Sequence, residues 1–214
     1  MTTQSVSIPA GMLRAALMHA AKRDVRYYLN GVYVEPARQR VTATDGHRMY
    51  VGRFSDAGAD GPGFIIPRDA LELALKAHKA AHGRDADTAA LHIVADGAAL
   101  KLGATVSATA IDARFPDVER VIPRSTSGVV AGLNADYVTD ARDALHATCG
   151  CKPSTWTAPS IAYNGDGPAV ITLAACPDAF VVVMPCRDRV QTAAETAATV
   201  AHVLREPAPA AVAA

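Results

Sequence analysis

Asp45, His47 and Asp112, or His47 together with one of the cysteines, are the side chains of this sequence that could move protons or attack a carbonyl. Acid–base and nucleophilic catalysis need such groups to converge in a cleft. The sequence carries no Gly-x-Ser-x-Gly elbow, no Gly-Lys-Ser/Thr phosphate loop and no His-Glu-x-x-His helix. Asp45-Gly46 is better explained as a tight turn, and no enzymatic activity is expected. Cys149-x-Cys151 with His146 offers thiolate and imidazole ligands, but one-residue spacing suits a structural zinc site poorly and no second pair stands nearby. Neither a metal nor another cofactor is expected.

The elements that would position these residues follow one grammar. A short β-branched run meets Pro or Asn and passes into an amphipathic helix: residues 6–8, Pro9 and a helix over 12–21; residues 64–66, Pro67 and a helix over 69–81; residues 129–133, Asn134 as N-cap and a helix over 136–147. The recurrence, roughly every sixty residues, marks an internal repeat. Each helix is followed by strand-like segments: 27–35, 40–44 and 47–54 around Asp45-Gly46; 91–95, 99–102 and 106–111 around Asp96-Gly97; 160–163, 169–174 and 179–184. Helices set apart from antiparallel meanders predict an α+β fold. The divisions expected are a two-unit domain over 1–123, a polar linker at 124–128, a single unit over 129–190, and an added helix (about 192–204) with a Pro/Ala tail over 191–214, its last residues disordered.

Half of the 214 residues are apolar, enough for a real core. Lys plus Arg equal Asp plus Glu at 21 each, which argues against a protein held to nucleic acid by overall charge; only local placement can favour it. There is no run of eighteen apolar residues and no charged, apolar leader, so a cytoplasmic protein without membrane attachment and with free thiols is expected.

Five blocks resemble the bacterial DNA polymerase III beta subunit, the beta sliding clamp family: Asp24-Val25-Arg26-Tyr27-Tyr28-Leu29-Asn30-Gly31 with Ala43-Thr44-Asp45-Gly46-His47-Arg48; Ile66-Pro67-Arg68; Arg114-Phe115-Pro116-Asp117; Arg120-Val121-Ile122-Pro123; and Val182-Val183-Met184-Pro185-Cys186-Arg187. They occur in the family's order and cover the family's middle domain and the second half of its last domain. The resemblance implies a DNA-clamp fold, with antiparallel sheets outside and helices lining a ring of twelve strand-helix-meander units. Three-unit chains would close such a ring as a homotetramer. It implies a processivity factor that encircles duplex DNA without reading sequence and tethers DNA polymerase, the clamp loader and other proteins carrying a clamp-binding motif. The alternative is a plasmid- or phage-borne decoy or adaptor that keeps the peptide pocket without encircling DNA.

Carried over residue by residue, the resemblance implies DNA contacts at Arg14, Lys22, Arg23, Arg26, Tyr27, Tyr28, Arg68, Lys76, Lys79 and Arg142. It implies a partner-peptide pocket with one wall of Arg26, Leu29, Thr44, Gly46, His47, Arg48, Met49, Pro116, Arg120 and Val121, and another of Asn134, Tyr137, Val182, Met184, Cys186 and Arg187. Against this stands the plainer reading that basic residues occupy solvated helix faces and that Leu29, Val182 and Met184 are strand core. Two departures bear on peptide preference: Cys186 replaces a larger apolar residue, and Asp188 stands where a terminal Leu closes the family's chains. The added helix has Val200, Val203 and Leu204 to bury on one face.

Overall fold

The computed structural model describes residues 3–152, 157–187 and 193–203. Two complete repeats come first: β1 (Thr3–Pro9), α1 (Ala10–His19), β2 (Gly31–Glu35), β3 (Arg40–Thr44) and β4 (Arg48–Arg53), then β5 (Phe64–Pro67), α2 (Arg68–His82), β6 (Ala90–Asp96), β7 (Ala99–Leu102) and β8 (Val106–Thr109). The third comprises α3 (Ala135–Cys149), β9 (Ser160–Ala162), β10 (Ala169–Leu173) and β11 (Cys176–Val183), and α4 (Ala193–Val203) follows.

The first two repeats exchange their opening strands. β1 pairs with β6 and β5 pairs with β2, giving a four-stranded sheet β1-β6-β7-β8 and a seven-stranded sheet β5-β2-β3-β4-β11-β10-β9, antiparallel throughout. The third repeat joins through its last strand: β11 lies along β4 with Val182 opposite Met49 and Val183 opposite Arg48. The α+β expectation holds.

The strand expected at 129–133 is absent. An opening strand needs a sister repeat's sheet to enter, and the third repeat has none, so residues 121–134 run without regular structure. Gly128 N–H donates to Tyr163 O, Gly165 N–H donates to Val129 O, and Cys186 N–H donates to Gly132 O. Val129 and Val130 stay 60 % and 63 % exposed.

Helix starts also differ from expectation. α1 and α2 begin directly after Pro9 and Pro67, whose fixed φ already suits a helix entry, and α1 ends at His19 because Ala20 is extended. The strand expected from residue 27 starts at Gly31 instead. Asp24 N–H donates to Asn30 Oδ1 and Asn30 Nδ2 to Asp24 O, and this clasp folds Tyr27–Leu29 into a 3-10 turn. The Asp45-Gly46 turn needs positive φ only at Gly46, while Asp45 Oδ1 accepts from the His47 and Arg48 amides. α4 leaves Val200 and Val203 exposed, so the expected burial of that face is not found among the described residues; Thr192, Asp188 and the tail from Leu204 lie outside them.

Strand alternation divides the seven-stranded sheet between two cores. Tyr50, Val181 and Val183 face α1 and α3 in the main core, whereas Met49, Val51 and Val182 face Leu29, Phe115 and Val118 on the other side. Helix α1 packs closely on α3 because Gly11 has no Cβ, which would otherwise overlap the Ala147 carbonyl oxygen.

Candidate functional site

The seam between β4 and β11 carries a groove of about 210 Å³ on its outer face. Its floor is apolar and buried: Leu29, Met49, Val118 and Val182 are each no more than 5 % exposed. The rim is Arg26, Tyr28, Thr44, Gly46, His47, Arg48, Pro116, Asp117, Val121 and Met184. Met184 and Val121 stand 38 % and 42 % exposed there, so apolar surface faces water on both sides of the opening.

Each wall is positioned by named contacts. Segment 110–122 is tied to the sheet by the Ile111 amide on Ile65 O (3.0 Å), by Phe115 stacked on Tyr33 (4.8 Å) and by Glu119, which pairs with Arg38 (2.6 Å) and Arg40 (3.2 Å). Arg40 is braced in turn on Glu35 at 2.6 Å. Thr44 Oγ1 donates to Arg48 O and accepts from Gly46 N–H, which closes the turn beneath the rim. Gly46, at φ +95°, lets the Arg26 guanidinium pass where a side chain would crowd it.

Two arginines on the rim are committed differently. Arg26 is braced by Asp24 (2.7 Å) and donates to Asp45 O, and the guanidinium and backbone N–H that Arg26 presents to the Asp24 carboxyl hold that group down to about 2. Arg48 is an internal tie: Nε meets Asp45, Nη1 pairs with Asp140 of α3, Nη2 donates to Met18 O at the end of α1, and the guanidinium lies 4.7 Å from the Tyr137 ring centroid. It fastens the first repeat to the third. Tyr50 does the same inside the core, its hydroxyl 2.7 Å from Thr148 Oγ1.

The structure thus gathers Arg26, Leu29, Thr44, Gly46, His47, Arg48, Met49, Pro116, Val121, Val182 and Met184 at one groove. It does not bring five other expected pocket residues to its lining. Arg120 points outward with an ion pair to Asp117; Asn134 caps α3, accepting from Asp136 N–H; Tyr137 lies under Arg48; Cys186 and Arg187 are exposed beyond it. Tyr28, expected as a DNA contact, also lines the groove; Asp117 and Val118 were not expected there, although their neighbours Pro116 and Arg120 gave a signal.

The basic residues divide as well. Lys22, Arg23, Lys76 and Lys79 are exposed and make no ion pair among the described residues. Tyr27 is 57 % exposed beside Tyr28, which turns toward the groove. Arg14 pairs with Asp87 at 2.6 Å and Arg142 with Asp143 at 2.7 Å. Arg68 faces inward, donating to Leu17 O and Ala20 O at the end of α1, with Glu72 at 2.9 Å, so it closes a helix terminus. Asp45 is spent on its turn and on Arg48. Among the described residues no group of His, Cys, Asp and Glu could hold a metal, and no helix is long and apolar enough to cross a membrane. Cys149, Cys151, Cys176 and Cys186 are free thiols.

A sequence model of the DNA polymerase III beta subunit, central domain, matches residues 10–117. The beta sliding clamp of Caulobacter vibrioides is 33 % identical over 129 residues, covering 56 % of this chain and 33 % of the relative. That of Proteus mirabilis is 32 % identical over 129 residues, covering 58 % and 34 %. Among solved structures, Caulobacter crescentus pol III beta superposes with a TM-score of 0.69 at 19 % identity, over 88 % of this chain and 67 % of that one. A DNA polymerase sliding clamp from Pseudomonas aeruginosa gives 0.65 at 20 % identity, over 86 % and 66 %. The chain spans about a third of the length of the curated relatives it matches. With the central-domain match reaching across half its residues, and the clamp fold across most of them, the chain belongs to the DNA polymerase III beta subunit family.

Proposed function

We propose that this chain is a sliding clamp: assembled as a homotetramer in the cytoplasm, it encircles duplex DNA and tethers polymerase, clamp loader and other motif-bearing proteins through the groove at the β4–β11 seam. One observation carries the reading. A single chain supplies both sides of an apolar groove, with buried Leu29, Met49 and Val182 below and exposed Met184 and Val121 at its lips. An extended peptide would seat apolar side chains on that floor, with Arg26 and His47 available to its polar atoms. The adaptable Met184 thioether suits guests of differing shape.

The DNA half of the reading is electrostatic and needs no catalytic step. Lys22, Arg23, Lys76 and Lys79 are the unpaired cations best able to meet phosphates, with Arg14 and Arg142 able to exchange their surface carboxylate partners. Such contacts read no sequence, which suits sliding. Arg68, bonded to the end of α1, drops out of this set.

The test has two arms. A fluorescent clamp-binding peptide should bind the full chain, and Met184→Asp should abolish binding while leaving the assembly mass unchanged; unchanged affinity refutes the groove. The protein should be retained on circular duplex DNA and released when the circle is cut. Peptide binding by a monomer with no retention would favour the decoy reading, for which the groove's completeness within one chain is the supporting observation.

A further inference from the structure

The seam between the first and third repeats shows what the last strand of a repeat does in this fold. β4 and β11 are each the last strand of their repeat; they pair antiparallel, and beneath them α1 packs on α3. The α1 face that meets α3 is marked by Gly11 at the Ala147 carbonyl, and Ala15 and His19, also buried, share that face one and two turns on. The second repeat has the same two parts, uncovered. Among the described residues its last strand, β8, pairs only with β7, leaving its outer edge free along Val106–Thr109. Counted from Pro9 and Pro67, Leu73 occupies the position of Ala15, and Leu73 is 57 % exposed.

We propose that the β8 edge and the Leu73 face of α2 form a twofold interface with the same surface of a second copy of this chain. The antiparallel pairing of like strands at the β4–β11 seam is the arrangement a twofold axis imposes, so two second repeats meeting through β8 would reproduce that seam. Residues Val106-Ser107-Ala108-Thr109 form a short edge strand with neither Pro nor charge nor bulge to keep it solitary. Two other edges carry contacts: on β1, Ser7 N–H donates to Asp56, and on β5, Ile65 O accepts from Ile111, while β9 is the remaining edge strand, at the end of the third repeat. Asp69 and Lys76 flank Leu73 on either side along α2, so a twofold axis near Leu73 brings unlike charges together.

The interface stands on strand order and exposure; the ring it would help close rests on the reading above. Two such interfaces, alternating with two at the open end of the third repeat, would make a ring of four chains with alternating rather than head-to-tail contacts.

Native mass spectrometry of the full chain decides it. The wild type should have an even number of copies, and Leu73→Glu, at an exposed site, should halve the mass of the assembly with an unchanged circular dichroism spectrum. Ser107→Cys or Thr109→Cys should cross-link to its own copy with a short bis-maleimide, beyond the level of the unsubstituted protein. A monomeric or odd-numbered wild type overturns the proposal. So does a mass that resists Leu73→Glu but falls with Val130→Glu, which would put the contact at the third repeat. Halving by Leu73→Glu in a protein that fails to stay on circular DNA would keep the interface and remove the ring.

Discussion

His19 is fully buried in the last turn of α1, with Nδ1 2.9 Å from Ala15 O, its ring centroid 5.8 Å from that of Tyr50, and no hydrogen-bond partner for Nε2 among the described residues. Burial pushes its pKa from 6.5 down to about 4, against the opposing pull of the Ala15 carbonyl. The native protein therefore binds this proton more weakly than the unfolded chain does. Stability from His19 is complete above the unfolded value and is lost as pH falls toward the folded one. Between about pH 7.5 and about pH 5 the loss from this residue is about 2 kcal/mol, and most carboxylates titrate below that interval. Urea unfolding at the two pH values measures it. Wild type should lose about 2 kcal/mol more across the interval than His19→Gln, whatever the variant's stability at the higher pH. His78, also lowered by burial, contributes to both proteins and cancels. Equal pH losses in the two proteins would refute the neutral buried imidazole and the tight α1–α3 contact that encloses it.

Arg48→Ala removes the bonds to Asp45, Asp140 and Met18 O together and should destabilise the chain by about 2–4 kcal/mol in urea, most of it from carboxylates left without their partner. Gly11→Ala would press a methyl group onto the Ala147 carbonyl; limited proteolysis should then cut the 121–134 segment faster, as α3 lifts from α1. If the exposed cations face phosphate, Lys22→Glu with Arg23→Glu should weaken DNA binding and lower the slope of log affinity against log salt by about 2. An unchanged slope would remove that loop from the DNA surface.

Much of the fold was legible because local chemistry and tertiary role agree. Pro9 and Pro67 end strands and open helices, Asn134 caps α3, and the alternation in Met49-Tyr50-Val51 already assigns two faces to β4. The strand expected at Val129–Leu133 failed for a reason no local pattern carries: β-propensity needs a neighbouring strand, and the exchange that gives β1 and β5 theirs occurs between repeats. Site residues divide the same way. Backbone-defined positions such as Thr44 and Gly46 were legible from their block. The fates of Arg68 and Arg48 depend on which carbonyl or carboxylate lies within reach, and the carbonyls of Leu17, Ala20 and Met18 and the carboxylate of Asp140 are brought there only by folding.

Under the proposed function, the β4–β11 seam separates holding the chain together from offering it to a partner. Strand alternation sends Tyr50, Val181 and Val183 to the helix side, where they join α1 to α3, and Met49 and Val182 to the opposite side, where they floor the groove. If the groove holds a peptide as proposed, substitutions at its rim should alter peptide preference with little cost to the core. Arg48 is the exception, because its backbone closes the turn under the rim while its guanidinium reaches through to Asp140 and Met18 O. A partner that shifts residues 44–48 on binding would pull on that guanidinium. The groove and the packing of the third repeat against the first are therefore coupled through one side chain, and Arg48→Lys, which keeps the charge but loses the fork that spans Asp45, Asp140 and the carbonyl, should weaken peptide binding and seam stability together.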